Sequence, residues 1–241
     1  MKRINKYLSE IGYCSRRAAD KLIEAGRVTI NDEVPEMGTK LAPGDVVRVD
    51  GEIMEQPKQE HVYIALNKPR GIVCTTDVAT EKDNIVDYIG HDKRIFPIGR
   101  LDKPSEGLIF LTSDGDIVNK ILRSRNNHEK VYEVRVNKPI TKQFIERMSA
   151  GIPIMDTVTD PCKVEQIDSF YFKITLQQGL NRQIRKMCAY LNYEVYKLKR
   201  IRIMNIDLDI PYGEWRDINQ DELLEIKRLV KDSHKTFDSE I

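Results

Sequence analysis

The sequence lacks the residue patterns that mark a metal site, a disulfide framework or a membrane protein. Its four cysteines and four histidines are scattered, with no C-x-x-C pair and no Cys–His spacing typical of zinc ligands. We therefore expect reduced thiols and no bound metal. No apolar run approaches the roughly 18 residues that a membrane span needs, and no signal-peptide core follows the first residues. These absences predict a cytoplasmic protein with no membrane partner.

A strong overall charge is also missing. Lys and Arg number 39 and Asp and Glu number 38, which gives a net charge of +1, so the total charge does not indicate a nucleic-acid binder. The distribution is more informative. The first thirty residues hold seven cations against three carboxylates, and this local excess makes the amino-terminal region a candidate for contacts with a polyanion.

The length favours a small module joined to a larger one. At 241 residues the chain exceeds the roughly 100–150 residues of a usual single domain. We place the first domain at residues 1–56, the second at 61–231 and a polar tail at 232–241, because residues 55–60 are polar, contain a proline and lack apolar periodicity. A monomer is expected, since no coiled-coil repeat is visible.

Apolar spacing in the first domain predicts two short helices followed by small strands. Ser15 is the expected N-cap of the second helix, and Gly26 is its expected end. The predicted elements are helices over 4–12 and 16–25 and strands over 28–30 and 46–49.

The second domain mixes strand-like and helix-like segments, which predicts an α+β fold. No internal repeat interrupts this pattern. The predicted strands are 62–67, 95–101, 108–112, 131–136 and 170–176, and the predicted helices lie near 117–123, 143–150 and 182–191.

A turn-like stretch between two apolar runs carries the first candidate site. Residues 99–108 read GRLDKPSEGL, which places Asp102 at a turn. In an extended segment Arg100 would point to the same side and could partner this carboxylate. Asp before Lys-Pro-Ser is also an ordinary turn former, so a structural role stays open. Glu106 is a second nearby carboxylate and keeps a paired-acid glycosidase open as well.

A second candidate is a cluster of cations at the start of a predicted helix. Arg182, Arg185 and Lys186 are spaced i, i+3 and i+4, so they share one face. The helix dipole disfavours cations in a first turn, which favours an anionic partner such as phosphate or a carboxylate. A solvated basic surface is the alternative.

Between these stretches, Lys130 and Tyr132 face one side of a predicted strand. A tyrosine ring can stack on a nucleobase, and its hydroxyl can take part in proton transfer. A packed strand aromatic is the plainer interpretation. The local sequence does not decide between the two.

Taken in order, four motifs resemble the RsuA/RluB/RluE/RluF family of ribosomal RNA pseudouridine synthases, and the similarity spans nearly the whole chain. They are NKPRG at 67–71, GRLD through GL at 99–108, KVY at 130–132 and NRQIR at 181–185. Four further segments are most similar to the RluF branch, which implies large-subunit (23S) ribosomal RNA as the substrate. These segments are 95–103, 118–123, 181–183 and 202–205.

The resemblance implies a fold and a reaction. The first domain is similar to a small α-L RNA-binding domain shared with a ribosomal small-subunit protein. The second would have the pseudouridine-synthase fold, a mixed, mostly antiparallel sheet with the catalytic cleft along it. Enzymes of the family detach uracil from ribose at N1, rotate it and rejoin it through C5, without a metal or organic cofactor. The target uridine would be flipped out of its helix to react.

The matching positions imply residue roles. Asp102 would be the catalytic carboxylate and Arg185 its partner, while Tyr132 would stack on the base and take part in removing the C5 proton. Arg100 would fill the space of the flipped nucleotide or hold its backbone. The expected RNA contacts are Arg100, Arg182, Lys186, Arg16 and Arg17.

Two departures from the family pattern and one alternative function remain. Ser105 stands where many relatives carry threonine, and it keeps the hydroxyl. The chain lacks the long basic tail of some RluF-type proteins, which bears on RNA affinity. A non-catalytic, ribosome-associated RNA-binding protein is the alternative, because the basic first domain would suffice for it. The sequence does not say which uridine is modified or whether transfer RNA is also a substrate, and it indicates no obligate protein partner.

Overall fold

The computed structural model describes residues 1–55, 61–122 and 128–231. The chain divides into two compact units, Met1–His61 and Val62–Ile241. In the described ranges, no helix is long and apolar enough to cross a membrane. The expected tail and most of the expected linker lie outside these ranges, as does the last residue of the helix predicted over 117–123.

The first unit packs two short helices against small strands. Ser15 caps the second helix, since its side chain accepts a hydrogen bond from the backbone N–H of Ala18 at 3.1 Å. A core of Ile4, Leu8 and Ile23 joins the helices to the strands. The elements are β1 (Lys2–Arg3), α1 (Ile4–Glu10), α2 (Arg16–Glu24), β2 (Val28–Ile30), β3 (Lys40–Leu41), β4 (Val47–Val49) and β5 (Glu52–Ile53).

The second unit is an α+β domain built on a nine-stranded sheet. Its strands are β6 (Tyr63–Lys68), β7 (Phe96–Ile98), β8 (Glu106–Thr112), β9 (Lys130–Val136), β12 (Lys163–Asp168), β13 (Tyr171–Leu176), β14 (Val195–Ile203), β15 (Ile206–Asp207) and β16 (Trp215–Asp217). A separate hairpin contains β10 (Pro153–Ile154) and β11 (Thr157–Val158). The main strand order is β12-β13-β9-β14-β8-β6-β16, with β7 beside β8 and β15 beside β14. The sheet is mixed and mostly antiparallel, as predicted.

Helices cover both faces of this sheet. The helices are α3 (Ile85–Ile89), α4 (Gly115–Leu122), α5 (Lys142–Ala150), α6 (Gln183–Tyr190) and α7 (Gln220–Leu229). Helices α5 and α6 bury their apolar faces against β9, β13 and β14. Helices α4 and α7 cover one face of β6 and β8, and α3 covers the other. The ring of Tyr132 contacts two of these three cores.

Among the described residues, one strand pair of the sheet is parallel. Strand β14 meets β8 at Lys199–Glu106 and Arg200–Gly107. A Cβ on Gly107 would lie 2.3 Å from the carbonyl oxygen of Arg200, so the two backbones can approach this closely only because a glycine is present. This contact joins the half of the sheet containing β9 and β13 to the half containing β6 and β16.

Three sequence-based expectations need correction. The strand predicted over 95–101 ends at Ile98, because Gly99 has φ +80 and turns the chain out of the sheet. Arg100 and Asp102 therefore do not share an extended segment. The helix predicted over 182–191 begins at Gln183, and Arg182 is its N-cap in the left-handed region with φ 52. The long central strand β14 was not predicted.

We expect Gly107→Ala to destabilise the second unit strongly. Gly107 has φ +106 in addition to the close contact, so the substitution adds backbone strain to overpacking and should cost roughly 3 kcal/mol. The matched control is Gly90→Ala, where φ is +63 but the nearest atom is 3.8 Å away, at about 1 kcal/mol. Urea unfolding measures both, and equal losses would contradict the close-contact argument.

Candidate active site

Two concave surfaces lie on opposite faces of the sheet. The larger, about 400 Å³, includes Glu129 and Glu165, but the first is paired with Arg202 at 2.8 Å and the second with lysines at 3.2 and 3.4 Å. The smaller cleft, about 80 Å³, is lined by the residues that the sequence singled out, among them Arg100, Asp102, Ser105, Tyr132 and Arg182. Chemistry rather than size identifies the smaller cleft as the candidate site.

Asp102 lies in a tight loop between β7 and β8. The loop begins at Gly99, and the backbone N–H of Leu101 donates to the buried thiol of Cys74 at 3.3 Å. The N–H of Ser105 then donates to the carbonyl of Asp102 itself at 2.9 Å and closes a turn. The carboxylate is thus carried on a short, hydrogen-bonded turn, and its side chain is 27% exposed.

The NKPRG segment holds this loop from the other side. The Lys68 ammonium is fully buried and donates to the carbonyls of Pro69 at 2.8 Å and Ser105 at 2.9 Å. The backbone N–H of Gly71 donates to the carbonyl of Lys103 at 2.9 Å. Burial lowers the pKa of Lys68. The NKPRG segment and the 99–108 segment are therefore hydrogen-bonded to each other, and together they hold the loop that carries Asp102.

Asp102 forms ion pairs with two arginines from the start of α6. Its Oδ2 lies 3.6 Å from Nε of Arg185 and 3.9 Å from Nη1 of Arg182. Arg185 is the more buried, with its side chain 14% exposed, and it also donates to Ser105 Oγ at 3.2 Å and to the carbonyl of Val195 at 3.1 Å. Burial lowers the pKa of Arg185, and the charge of Asp102 opposes that shift.

The remaining cations of the predicted cluster behave differently. Arg182 is 48% exposed at its side chain and lines the cleft. Lys186 donates to Asn181 Oδ1 at 3.2 Å and makes no ion pair with Asp102. The left-handed backbone of Arg182 is supported by Gln183, whose side chain accepts from the N–H of Leu180 at 3.0 Å. The anionic partner expected for the cations at the start of α6 is therefore Asp102, which pairs with Arg185 and Arg182.

Tyr132 is half-buried on β9 and lines the cleft beside Asp102. Its hydroxyl accepts a hydrogen bond of 3.5 Å from Nη1 of Arg200, which is 4% exposed. Arg200 comes from the unpredicted strand β14, and it is the clearest site residue that the sequence reasoning missed. Its position opposite Tyr132 depends on the long-range pairing of β14 with β9, so the local sequence gives no signal for it.

Glu106 does not join Asp102 in the cleft. It is 6% exposed, and its two oxygens are held by Arg70 Nε and Lys197 Nζ, each at 3.0 Å. It is not among the residues that line the cleft. A mechanism with two cooperating carboxylates therefore has no support at this site.

Models of two known families match the chain. The RNA pseudouridylate synthase model matches residues 62–190, and the S4 domain model matches residues 2–47. The first match covers more than half of the chain and includes Asp102, Tyr132 and Arg185. The chain belongs to the RNA pseudouridylate synthase family. This membership supports catalysis over RNA binding alone, and the fold is an S4 domain followed by a pseudouridine synthase domain.

Individual relatives agree with the pseudouridylate synthase assignment. The chain is 58% identical over 233 residues to the dual-specificity RNA pseudouridine synthase RluF of Escherichia coli K12, covering 96% of this chain and 80% of the relative. It is 30% identical to the ribosomal large subunit pseudouridine synthase B of Bacillus subtilis, covering 98% and 100%. A crystal structure of a pseudouridylate synthase superposes with a TM-score of 0.68 at 28% identity, covering 95% and 100%.

We expect Lys130, two residues before Tyr132 on β9 and buried, to make the free energy of unfolding depend on alkaline pH. Burial, with a smaller contribution from the charge of Arg200, lowers its pKa from 10.5 to about 8. Between those values the unfolded chain binds more protons than the folded one, so raising the pH across this window stabilises the fold by roughly 3 kcal/mol at this site. Lys130→Met should remove that rise.

Urea unfolding of both proteins at about pH 7 and about pH 10 measures the difference. The control is Lys142→Met, at a side chain that is 91% exposed. An identical pH dependence in wild type and Lys130→Met would contradict the assignment.

Proposed function

We propose that the protein isomerises a specific uridine in large-subunit (23S) ribosomal RNA to pseudouridine. The observation that carries the proposal is the ion pair of Asp102 with Arg185 in a cleft that Tyr132 also lines. The names of the relatives support ribosomal RNA as the substrate, and the dual specificity of RluF supports a second class of RNA. Transfer RNA is the second class we infer.

In this reaction Asp102 assists cleavage of the bond between C1′ of the ribose and N1 of uracil. Arg185 holds the carboxylate through Oδ2, while Ser105 Oγ and the carbonyl of Val195 hold Arg185. The loop and the arginine are thus positioned before the substrate binds, which lowers the entropic cost of reaching the reactive geometry. The isomerisation consumes no co-substrate, because uridine and pseudouridine have the same atoms.

Tyr132 supplies the surface on which the flipped base stacks. Its ring is fixed from behind by the cores on either side, and base stacking on an aromatic ring contributes about 1–3 kcal/mol. The exposed Arg100 stands at the same cleft and would occupy the space that the flipped nucleotide leaves or bind its backbone. Arg182 and Lys186 provide further contacts to phosphates.

The first unit provides the sequence-independent part of RNA binding. Arg16 and Arg17 are exposed at the start of α2, and neither forms an ion pair within the described part of the chain, whereas Arg27 is paired with Asp50 at 2.5 Å. Unpaired arginines at a helix amino terminus suit phosphate oxygens. We assign RNA anchoring to residues 1–56 and catalysis to residues 61–231, in a monomer that acts in the cytoplasm.

We expect Asp102→Asn to abolish turnover. With RNA that carries tritium at uridine C5, wild type should release the label, and the variant should be slower by roughly 10³-fold or more. The matched control is Glu106→Gln, which alters the carboxylate outside the cleft and should keep most of the activity. Product RNA of unchanged chain length and mass is part of the expected result. Equal release by wild type and Asp102→Asn would remove Asp102 from the mechanism.

We also expect Arg16→Ala combined with Arg17→Ala to weaken RNA binding in a salt-dependent way. Loss of two phosphate contacts should reduce the slope of log affinity against log salt concentration by roughly 1.5. Filter binding across a salt series measures this, with Arg27→Ala as the control. A slope equal to that of wild type would contradict the anchoring role.

A further inference from the structure

Arg200 lies in β14 directly behind the cleft. It is opposite Tyr132 on β9 and Gly107 on β8. The bare Gly107 lets the backbone of Arg200 approach β8 closely, and the pairing with β9 shifts register immediately after Arg200. Such bulges redirect side chains next to functional sites. The sheet therefore fixes Arg200 through its backbone on both sides.

The guanidinium of Arg200 contacts only neutral groups. Nε donates to the carbonyl of Leu108 at 2.6 Å, and Nη1 donates to the hydroxyl of Tyr132 at 3.5 Å, with Cζ 5.9 Å from the centre of the ring. Nη2 is buried and has no hydrogen-bond partner. Among the ion pairs of residues 1–55, 61–122 and 128–231, none involves Arg200.

Burying a guanidinium with an unsatisfied donor lowers the free energy of unfolding. A guanidinium stays charged in proteins, and an unsatisfied buried donor costs about 1–3 kcal/mol, more in a charged group. Lys130 adds a second buried charge nearby, held only by the carbonyls of His128 at 3.2 Å and Gln177 at 3.3 Å. Apolar residues of similar volume would be equally or more stable here. The cost points to a role in the reaction rather than in stability.

We propose that Arg200 is a positioning residue of the isomerisation and acts through the hydroxyl of Tyr132. The inference rests on the proposed function. Because a guanidinium can only donate, the Tyr132 oxygen accepts from Arg200, and the hydrogen of the hydroxyl is directed away from it. This bond fixes the orientation of the Tyr132 ring, which is the surface on which the flipped uracil stacks in the proposed function.

The orientation of the ring matters after the bond between C1′ and N1 breaks, because the detached uracil turns while it is stacked there. The electron pair leaves with the uracil, whose oxygens share the negative charge until C5 bonds to C1′. The C5 hydrogen then leaves as a proton and N1 gains one, so the isomerisation balances without a co-reactant. A ring held in one orientation keeps the detached base aligned for the new bond between C5 and C1′. The 3.5 Å contact to Arg200 is long, as is common before substrate binds.

A double-mutant cycle tests the proposal. Tritium release from C5-labelled RNA is measured under single-turnover conditions for wild type, Arg200→Met, Tyr132→Phe and the double variant. Arg200→Met should slow release roughly 30-fold in the wild-type background and less than about threefold in the Tyr132→Phe background, because the hydroxyl it acts through is gone. Equal factors in the two backgrounds would overturn the role of Arg200.

Two further variants keep the test decisive. Arg200→Lys retains a charged donor and should recover roughly tenfold of the rate lost in Arg200→Met. Arg202→Met alters an arginine of the same strand that is paired with Glu129, and it should stay within about twofold of wild type. If circular dichroism shows Arg200→Met unfolded, the cycle is run with Arg200→Lys, where additivity with Tyr132→Phe overturns the proposal and coupling of about twofold or more supports it.

The same assay separates this inference from the proposed function. No release by wild type would contradict the isomerase proposal itself. Release by wild type but not by Asp102→Asn, together with an additive cycle, would contradict only the role of Arg200.

Discussion

The close approach of β8 and β14 at Gly107 is the constraint on which the site depends. In the part of the chain that the structure describes, the two halves of the sheet meet through paired backbones at this place alone. The Asp102 loop enters β8 immediately before this contact, and α6, which carries Arg185, precedes β14. A side chain at position 107 would separate the strands and move the carboxylate away from its arginine. The geometry of the ion pair between Asp102 and Arg185 therefore depends on the absence of a side chain at Gly107.

The site is also notable for how it distributes charge. Three cations, Lys68, Lys130 and Arg200, are almost fully buried, and their hydrogen bonds go to backbone carbonyls and a tyrosine hydroxyl. Asp102 is the carboxylate that faces the cleft and forms ion pairs there. An interior with more positive than negative charge favours any anion that enters or forms in the cleft. This field suits a reaction in which a base departs with an electron pair.

Sequence reasoning succeeded where local rules dominate. The Ser15 cap, the two helices of the first unit and the strand carrying Tyr132 follow from capping preferences and periodicity. Strand β14 was missed because Lys197 and Lys199 lie on either side of Leu198. The many charged residues of this segment made its apolar positions hard to recognise. Arg200 could not be identified either, since its contact with Tyr132 depends on the long-range pairing of β14 with β9, which local sequence does not encode. The resemblance to the family located Asp102 and Arg185, whose contact no spacing rule predicts.

The seam between β8 and β14 also has a kinetic meaning. It pairs Gly107 with Arg200, residues far apart in sequence, so its formation carries the loop-closure entropy of the whole intervening chain. Local hairpins and helices can form without it. We therefore expect the cleft to form late in folding, and we expect a subglobal opening confined to this seam to abolish activity while most hydrogen bonds persist.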